Sequence, residues 1–176
     1  MIQCRKAVSA VLFISIVSFC ILSSAYSGEQ RVVRGTVTRV VDGDTVIVRP
    51  DIAGGRKLTC RLYGIDAPET PKRGRRGQEY GREADRVMRN LVLGCRVDAT
   101  LTGDKTYNRD VCIIKKDGMD INREMVSRGY AWAYRRYLKG PYASEYIDAE
   151  SRARAMRLGL WQQSNPQPPW EFRRGR

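Results

Sequence analysis

The sequence contains no histidine among its 176 residues. This absence excludes Ser-His and Cys-His nucleophilic catalysis, histidine-ligated zinc and an imidazole acid–base relay, because each of them needs an imidazole ring. Cysteine is scarce as well, with five residues whose spacing resembles no zinc site. Any chemistry therefore depends on carboxylates, on guanidinium and ammonium groups, or on a metal ion held by oxygen ligands.

The first 27 residues have the layout of a secretory signal peptide. A short basic segment at 1–6 precedes an apolar run at 7–22, and small residues follow that run. The run is a little short for a membrane span of about 20 residues, although an uncleaved anchor stays open as an alternative. We expect export with cleavage after Ala25 or Ser27, to the periplasm or the medium, and no stable membrane association afterwards.

The exported chain is strongly basic. Its formal net charge falls from +13 to +11 without the leader, which carries two basic residues and no acidic one. Such a surplus attracts polyanions and makes binding to nucleic acid sensitive to salt. Cys60, Cys95 and Cys112 remain, and because their number is odd we expect at most one disulfide, whose partners stay open.

The order of the predicted elements is typical of an OB-fold, which is an α+β fold. Strands are predicted at 31–41, 45–49, 57–65, 96–101 and 111–115, and helices at 78–93, 120–128 and 144–158. This order gives a five-stranded barrel with a helix between strands three and four and two C-terminal helices. We expect one domain at 31–161 and an extended, proline-rich basic tail at 162–176.

Acidic residues cluster where two of the predicted strands are interrupted. Asp44 lies in a DGD turn, and Asp66 and Glu69 flank Pro68 at the end of the third strand. Two carboxylates, a main-chain carbonyl such as that of Ala67, and water suit a calcium ion. Glu69 could orient or deprotonate an attacking water. The structural alternative is that these are ordinary turn and loop carboxylates.

Two arginines complete the candidate site. Arg61 and Arg109 would present planar donors that match phosphate oxygens and stabilise charge in a transition state. Strict strand alternation places Arg61 and Asp66 on opposite faces, so the hypothesis requires a bulge or bend at Gly64. The structural alternative is that both arginines are ordinary solvated or ion-paired residues.

Segments 41–46 (VDGDTV) and 61–69 (RLYGIDAPE) resemble the two signature segments of the thermonuclease family, typified by staphylococcal nuclease. The resemblance spans roughly 33–161 and continues at 79–84, 107–109, 121–122, 126–131 and 159–161. It implies a monomeric, calcium-dependent endonuclease on an OB-fold that cleaves DNA and RNA with little sequence specificity and leaves 3′-phosphates.

Carried over position by position, the resemblance gives each candidate residue a role. Asp44, Asp66 and the Ala67 carbonyl would bind calcium, Glu69 would activate water, Arg61 and Arg109 would be catalytic, Lys105 and Tyr107 would contact the terminal phosphate, and Tyr134 or Tyr137 would stack on a base. Ala67 stands where the family commonly has threonine, and Asn108 where it usually has glycine. The alternatives are a non-catalytic OB-fold module that binds nucleic acid or protein, and a basic structural protein of the cell surface.

Overall fold

The computed structural model describes residues 31–72 and 74–175. The leader expected at 1–27 lies outside these residues. Among the residues described, no helix has both the length and the apolar character that crossing a membrane requires.

Within this part of the chain the strands and helices follow in a simple order. They are β1 (Val32–Asp42), β2 (Thr45–Pro50), β3 (Leu58–Leu62), β4 (Ile65–Asp66), α1 (Gly81–Val92), β5 (Arg96–Thr106), β6 (Arg109–Lys116), β7 (Met119–Asp120), α2 (Ile121–Ser127), β8 (Trp132–Ala133), α3 (Pro141–Ala155), a 3₁₀ turn (Gly159–Gln162) and α4 (Pro169–Arg174).

Five of the strands close into a barrel. Antiparallel pairing joins β3 to β2, β2 to β1, β1 to β5 and β5 to β6, and a parallel pairing of β6 with β3 completes the circle. Alternate residues of these strands point inward, so Val37, Val46, Cys60 and Ala99 have no exposed surface. The predicted α+β fold with a five-stranded barrel is confirmed.

The third predicted strand is divided in two by a turn. β3 ends at Leu62, the chain turns at Tyr63 and Gly64, and β4 then pairs with β8 instead of the barrel. Gly64 has a φ of +68°, and a Cβ there would lie 2.3 Å from a side-chain carbon of Leu138. Because only glycine adopts this conformation without strain and fits this space, the bend expected at Gly64 is confirmed.

Helix α1 follows β4 and precedes β5 in the chain, and its apolar face packs into the core against the barrel, with its main contacts to β1. Its buried residues include Ala84, Met88 and Val92, which recur at a spacing of four. Its first residue, Gly81, lies so close to Glu69 that a Cβ would be 2.2 Å from the Glu69 carbonyl oxygen. The start of α1 therefore positions the loop that carries Glu69.

Several predictions about the extent of elements were wrong. Helix α1, predicted to begin at 78, begins at Gly81. The β5–β6 hairpin continues to Thr106 and Arg109, although Gly103, Asp104 and Lys105 have low strand propensity, because the two strands pair again at Lys105 and Asp110. Helix α3 begins at Pro141 rather than at 144, since proline is tolerated in the first turn of a helix.

The predicted extended tail at 162–176 is also wrong over its last part, which forms α4. Pro169 occupies the first turn of this helix, where its missing N–H costs nothing. Trp170 packs against the cluster formed by Trp132, Ala153, Leu160 and Trp161. Burial of this indole stabilises a six-residue helix that would not form alone in water.

Candidate active site

Arg61 joins two of the predicted carboxylates. Its Nη1 lies 2.9 Å from Oδ2 of Asp44, and its Nη2 lies 2.8 Å from Oδ1 of Asp66. All three side chains are largely buried, with Asp66 completely so. Charge-assisted hydrogen bonds from one planar guanidinium therefore fix the separation of the two carboxylates.

The DGD turn holds the Asp44 carboxylate against the segment after β4. Oδ2 of Asp44 accepts a hydrogen bond from the Ala67 N–H at 2.8 Å, and Oδ1 accepts one from the Thr45 hydroxyl at 3.0 Å. Gly43 allows this approach, because a Cβ there would lie 2.8 Å from the Cβ atoms of both Ala67 and Ala84. Ala67 thus contributes its N–H to the site, and the role predicted for its carbonyl stays a prediction.

Asp66 is held by strand pairing as well as by charge. In the β4–β8 ladder it is the partner of Trp132, and the Tyr134 N–H donates to the Gly64 carbonyl at 2.8 Å. The β4–β8 pairing and the Tyr134–Gly64 hydrogen bond thus fix the backbone at Asp66, and with it the direction of the Asp66 side chain, before any ligand binds.

Arg173, from helix α4, forms the other side of the cluster. Its Nη2 lies 2.8 Å from Oδ2 of Asp66, and its Nη1 lies 3.1 Å from Oδ1 of Asp66 and 2.9 Å from Oε1 of Glu69. Burial lowers the pKa of Arg173, but the two carboxylates outweigh that effect and raise it above its usual value. One cationic group therefore bridges the predicted metal carboxylate and the predicted water-activating carboxylate.

Asp42 adds a fourth carboxyl group at the edge of the cluster. Burial and the neighbouring charge of Asp44 raise the pKa of Asp42 to about 6, while Lys72, 3.4 Å away, lowers it. Burial is the larger cause of this shift, and the nearby Asp44 carboxylate adds to it.

Arg109 lies on the same side of the sheet as Arg61. It is the first residue of β6, two positions before Val111, and Val111 is the register partner of Arg61 across the parallel β3–β6 pairing. Residues two apart on a strand share a face, so both guanidinium groups project from the same face of the barrel. The register therefore puts Arg61 and Arg109 on the same face of the β3–β6 pair, and their catalytic roles stay predictions.

The predicted phosphate contacts occupy the tip of the β5–β6 hairpin. Tyr107 is 93% exposed and has a φ of +54°, and Lys105 is exposed two residues before it. Lys105 and Tyr107 precede Arg109, the first residue of β6, by four and two residues. Neither contacts the carboxylate cluster through a hydrogen bond or ion pair described for residues 31–72 and 74–175, and their roles stay predictions.

The two predicted stacking tyrosines differ in their surroundings. Tyr134 lies parallel to Trp170, with ring centroids 5.0 Å apart and an angle of 2° between the planes. Tyr137 meets Tyr134 edge-on at 4.9 Å and is 52% exposed. One face of Tyr134 is therefore covered by the C-terminal helix, whereas Tyr137 keeps much of its surface open.

Sequence reasoning missed three residues that shape the site. Arg173 and Trp170 lay in a tail to which no contact could be assigned, although Pro-Pro-Trp followed by charged residues is compatible with a helix start. Asn122, fully buried, accepts a hydrogen bond from Ile114 N–H at 3.1 Å and donates to the carbonyls of Tyr63 and Cys112 at 3.0 and 3.1 Å. Asn122 thereby fixes the turn between Arg61 and Asp66.

The donor set fits a hard divalent cation. Asp44, Asp66 and Glu69 offer carboxylate oxygens only, and the position bridging Asp66 and Glu69 is one where the structure already holds a cationic group, that of Arg173. Calcium prefers such oxygen ligands. Together with the arginines on the same face, these residues can hold a cation, bind a phosphate and position a water molecule.

Comparison with known proteins gives one consistent result. The family model for staphylococcal nuclease homologues matches residues 59–163. An uncharacterized endonuclease of Haemophilus influenzae is 32% identical over 93% of this chain and 85% of its own length. A micrococcal nuclease of Shigella flexneri is 35% identical over 80% of both chains, and the endonuclease Htp3 of Saprolegnia parasitica is 32% identical over 82% of this chain and 77% of its own.

Proposed function

The chain belongs to the family of staphylococcal nuclease homologues and is an endonuclease of that family, and we propose that it is a calcium-dependent one. The proposed reaction is hydrolysis of phosphodiester bonds in DNA and RNA, with little sequence specificity and with 3′-phosphate products. The observation that carries this proposal is the convergence of Asp44, Arg61, Asp66 and Glu69, linked by contacts of 2.8–3.1 Å that run through Arg61 and Arg173.

The carboxylates supply the binding site for the cation. Asp44 and Asp66 would hold Ca²⁺, because Arg61 already fixes their separation and the bend at Gly64 directs Asp66 toward Asp44. When bound, the ion supplies Lewis-acid polarisation of a phosphoryl oxygen. No histidine is available as a general base, which leaves Glu69 as the carboxylate placed to accept a proton from the attacking water.

The arginines bind and stabilise the phosphate. The β3–β6 register puts Arg61 and Arg109 on the same face of the sheet, and in the proposed mechanism both donate to the phosphate. The Arg61 guanidinium is fixed before the substrate arrives, since it is anchored by Asp44 and Asp66. Fixed donors aimed at developing negative charge lower the activation barrier more than mobile donors do.

Positive charge around the site supports a polyanionic substrate. A cleft of about 820 Å³ beside the cluster is lined by Arg75, Arg76 and Arg173 together with Phe172. The whole chain carries a net charge of +13. Contacts of this kind bind the sugar–phosphate backbone and not the bases, which agrees with low sequence specificity.

Digestion of plasmid DNA and of RNA tests the proposal. The full chain should cut both substrates with added Ca²⁺, stop when a chelator is added, and leave ends that a 3′-phosphatase converts to substrates for a polymerase. Glu69→Gln removes the proton-accepting charge at nearly constant volume and should lower the rate about 10²- to 10³-fold. Cutting that persists in chelator, or no cutting with any divalent metal, would contradict the proposed mechanism.

We also propose that the protein acts outside the cytoplasm. The support is the basic and apolar pattern of residues 1–27, followed by small residues. Expression of the full chain and amino-terminal sequencing of the protein recovered from the periplasm and the medium would test this. A protein that retains its first residues in the cell would contradict it.

A further inference from the structure

The last residues of the chain lie across the carboxylate cluster. We define the C-terminal arm as residues 167–175, which comprise Gln167, Pro168, helix α4 and Gly175. We propose that the C-terminal arm is an intramolecular inhibitor, which holds the acidic site closed through Arg173 and leaves it when the divalent cation binds. The inference rests on the proposed function, because it concerns the cation of that same site.

Arg173 uses the oxygens that a metal ion would need. Oδ1 of Asp66 accepts from both Arg61 and Arg173, and Oδ2 accepts from Arg173. Asp66 has no exposed surface, so no other side of this carboxylate is open to an incoming ion. A cation can therefore coordinate Asp66 only after Arg173 has moved.

The charge balance favours one cationic group or the other, but not both. At the edge of the cluster the charge of Lys72, 3.4 Å away, offsets that of Asp42. The carboxylates of Asp44, Asp66 and Glu69, set against the single guanidinium of Arg61, then leave two negative charges in the cluster. Arg173 neutralises one of them and a divalent cation neutralises both. With Arg173 and a divalent cation both present, the partly buried cluster would have an excess of positive charge. Repulsion between the two would then favour departure of the Arg173 side chain. Arg173, at 38% side-chain exposure, is more accessible to solvent than Arg61 at 14%.

The C-terminal arm has its own attachment to the barrel, which explains how Arg173 is held in place. Trp170 lies edge-on to Trp132 at 5.5 Å and parallel to Tyr134 at 5.0 Å. The Gln78 side-chain amide donates to the Gln167 carbonyl at the start of the arm. These contacts raise the effective concentration of the guanidinium at the site far above that of a free arginine.

The same attachment covers a predicted substrate contact. Trp170 covers one of the two ring faces of Tyr134, one of the residues predicted to stack on a base. Closure of the C-terminal arm thus blocks the cation and one stacking surface together, and binding of the cation should expose that surface. If only a fraction of the molecules is open, the apparent affinity for the cation equals the affinity of the open form multiplied by that fraction.

Calcium binding by isothermal titration calorimetry tests the inference without any measurement of cleavage. If the arm is closed about nine-tenths of the time, Arg173→Gln should bind Ca²⁺ about 10-fold more tightly than the wild-type full chain. Trp170→Ala keeps every charge of the site and weakens only the attachment, so it should tighten binding in the same direction. Arg174→Gln removes an equal charge from the next residue, which lines a different cavity beside Tyr134, and should bind as the wild type does.

Each other outcome overturns the inference. Arg173→Gln with unchanged or weaker binding would show that Arg173 does not compete with the ion. If Trp170→Ala bound Ca²⁺ as the wild type does, the attachment of the arm would not affect binding. If Arg174→Gln bound Ca²⁺ as tightly as Arg173→Gln, the tighter binding would result from the loss of a positive charge and not from release of the arm. Absence of binding to every protein would overturn the proposed calcium cofactor itself, and the inference with it. Circular dichroism of each variant confirms that the fold persists.

Discussion

Replacement of Asn122 by alanine should destabilise the protein more than any exposed substitution, although Asn122 touches no ligand. Its side chain makes three hydrogen bonds inside the protein, one from Ile114 N–H and two to the carbonyls of Tyr63 and Cys112. The Cys112 carbonyl keeps a second donor, the Tyr63 N–H at 2.8 Å. The variant therefore leaves the Ile114 N–H and the Tyr63 carbonyl without these partners.

The size of the effect follows from the burial of those two groups. Ile114 is 1% exposed, so its N–H cannot reach water, and an unsatisfied buried group costs about 1–3 kcal/mol. Tyr63 is only partly buried, so water can compensate its carbonyl in part. Together with the small cavity, we expect a loss of about 2–4 kcal/mol in the free energy of unfolding. For a domain of this size, that corresponds to roughly 4–16 °C in Tm.

Urea unfolding followed by circular dichroism measures this loss. The control is Asn90→Ala, because Asn90 is exposed on α1 and its loss should change the free energy of unfolding by less than about 0.5 kcal/mol. The slope of unfolding free energy against urea should be the same in all three proteins. A loss below about 1 kcal/mol for Asn122→Ala would refute the reasoning that buried hydrogen bonds of Asn122 hold the turn beside Arg61.

Three further outcomes follow from the structure. Arg109→Ala should lower cleavage about 10²- to 10³-fold with an unchanged circular dichroism spectrum, and a matching loss of folded protein would instead make Arg109 structural. Tyr146→Phe should cost about 1–2 kcal/mol in urea unfolding, because the buried hydroxyl donates to Asp120 at 2.9 Å, and an unchanged midpoint would contradict this. Burial and Asp120 raise the pKa of Tyr146, so this stabilisation should persist below pH 10 and be lost above it. Cys95→Ser should remove the thiol that maleimide labels fastest within the described residues, since the other two cysteines there are buried; equal labelling would show otherwise.

The barrel was predictable because its signals are local. Alternating β-branched residues marked the strands, and glycine marked the end of the first helix at Gly94. At Gly64 the local pattern predicted one continuous strand over 57–65, whereas strand alternation would have separated Arg61 from Asp66. The bend at Gly64 could therefore be expected only from the chemistry that the site requires.

The extent of the β5–β6 hairpin was not predictable in the same way. Gly103, Asp104 and Lys105 favour a loop by propensity, and only the pairing of Lys105 with Asp110 and of Thr106 with Arg109 extends the strands. Tertiary pairing overrides a weak local preference here. The longer hairpin places Tyr107 at an exposed tip between the end of β5 and the start of β6.

The C-terminal arm marks the limit of sequence reasoning most clearly. Arg173 and Asp66 are 107 residues apart, and one arginine among the 32 basic residues of the chain carries no local sign that it will pair with a particular carboxylate. Helix α4 has six residues, so its stability depends on the packing of Trp170 against Trp132 and Tyr134 and not on propensity. The three carboxylates of Asp44, Asp66 and Glu69, with Arg61 alone among them, have a surplus of negative charge that some cation must balance. The need for a balancing cation follows from the sequence once the residues of the site are known. Whether a metal ion or the guanidinium of Arg173 balances the charge depends on the position of the C-terminal arm relative to the barrel.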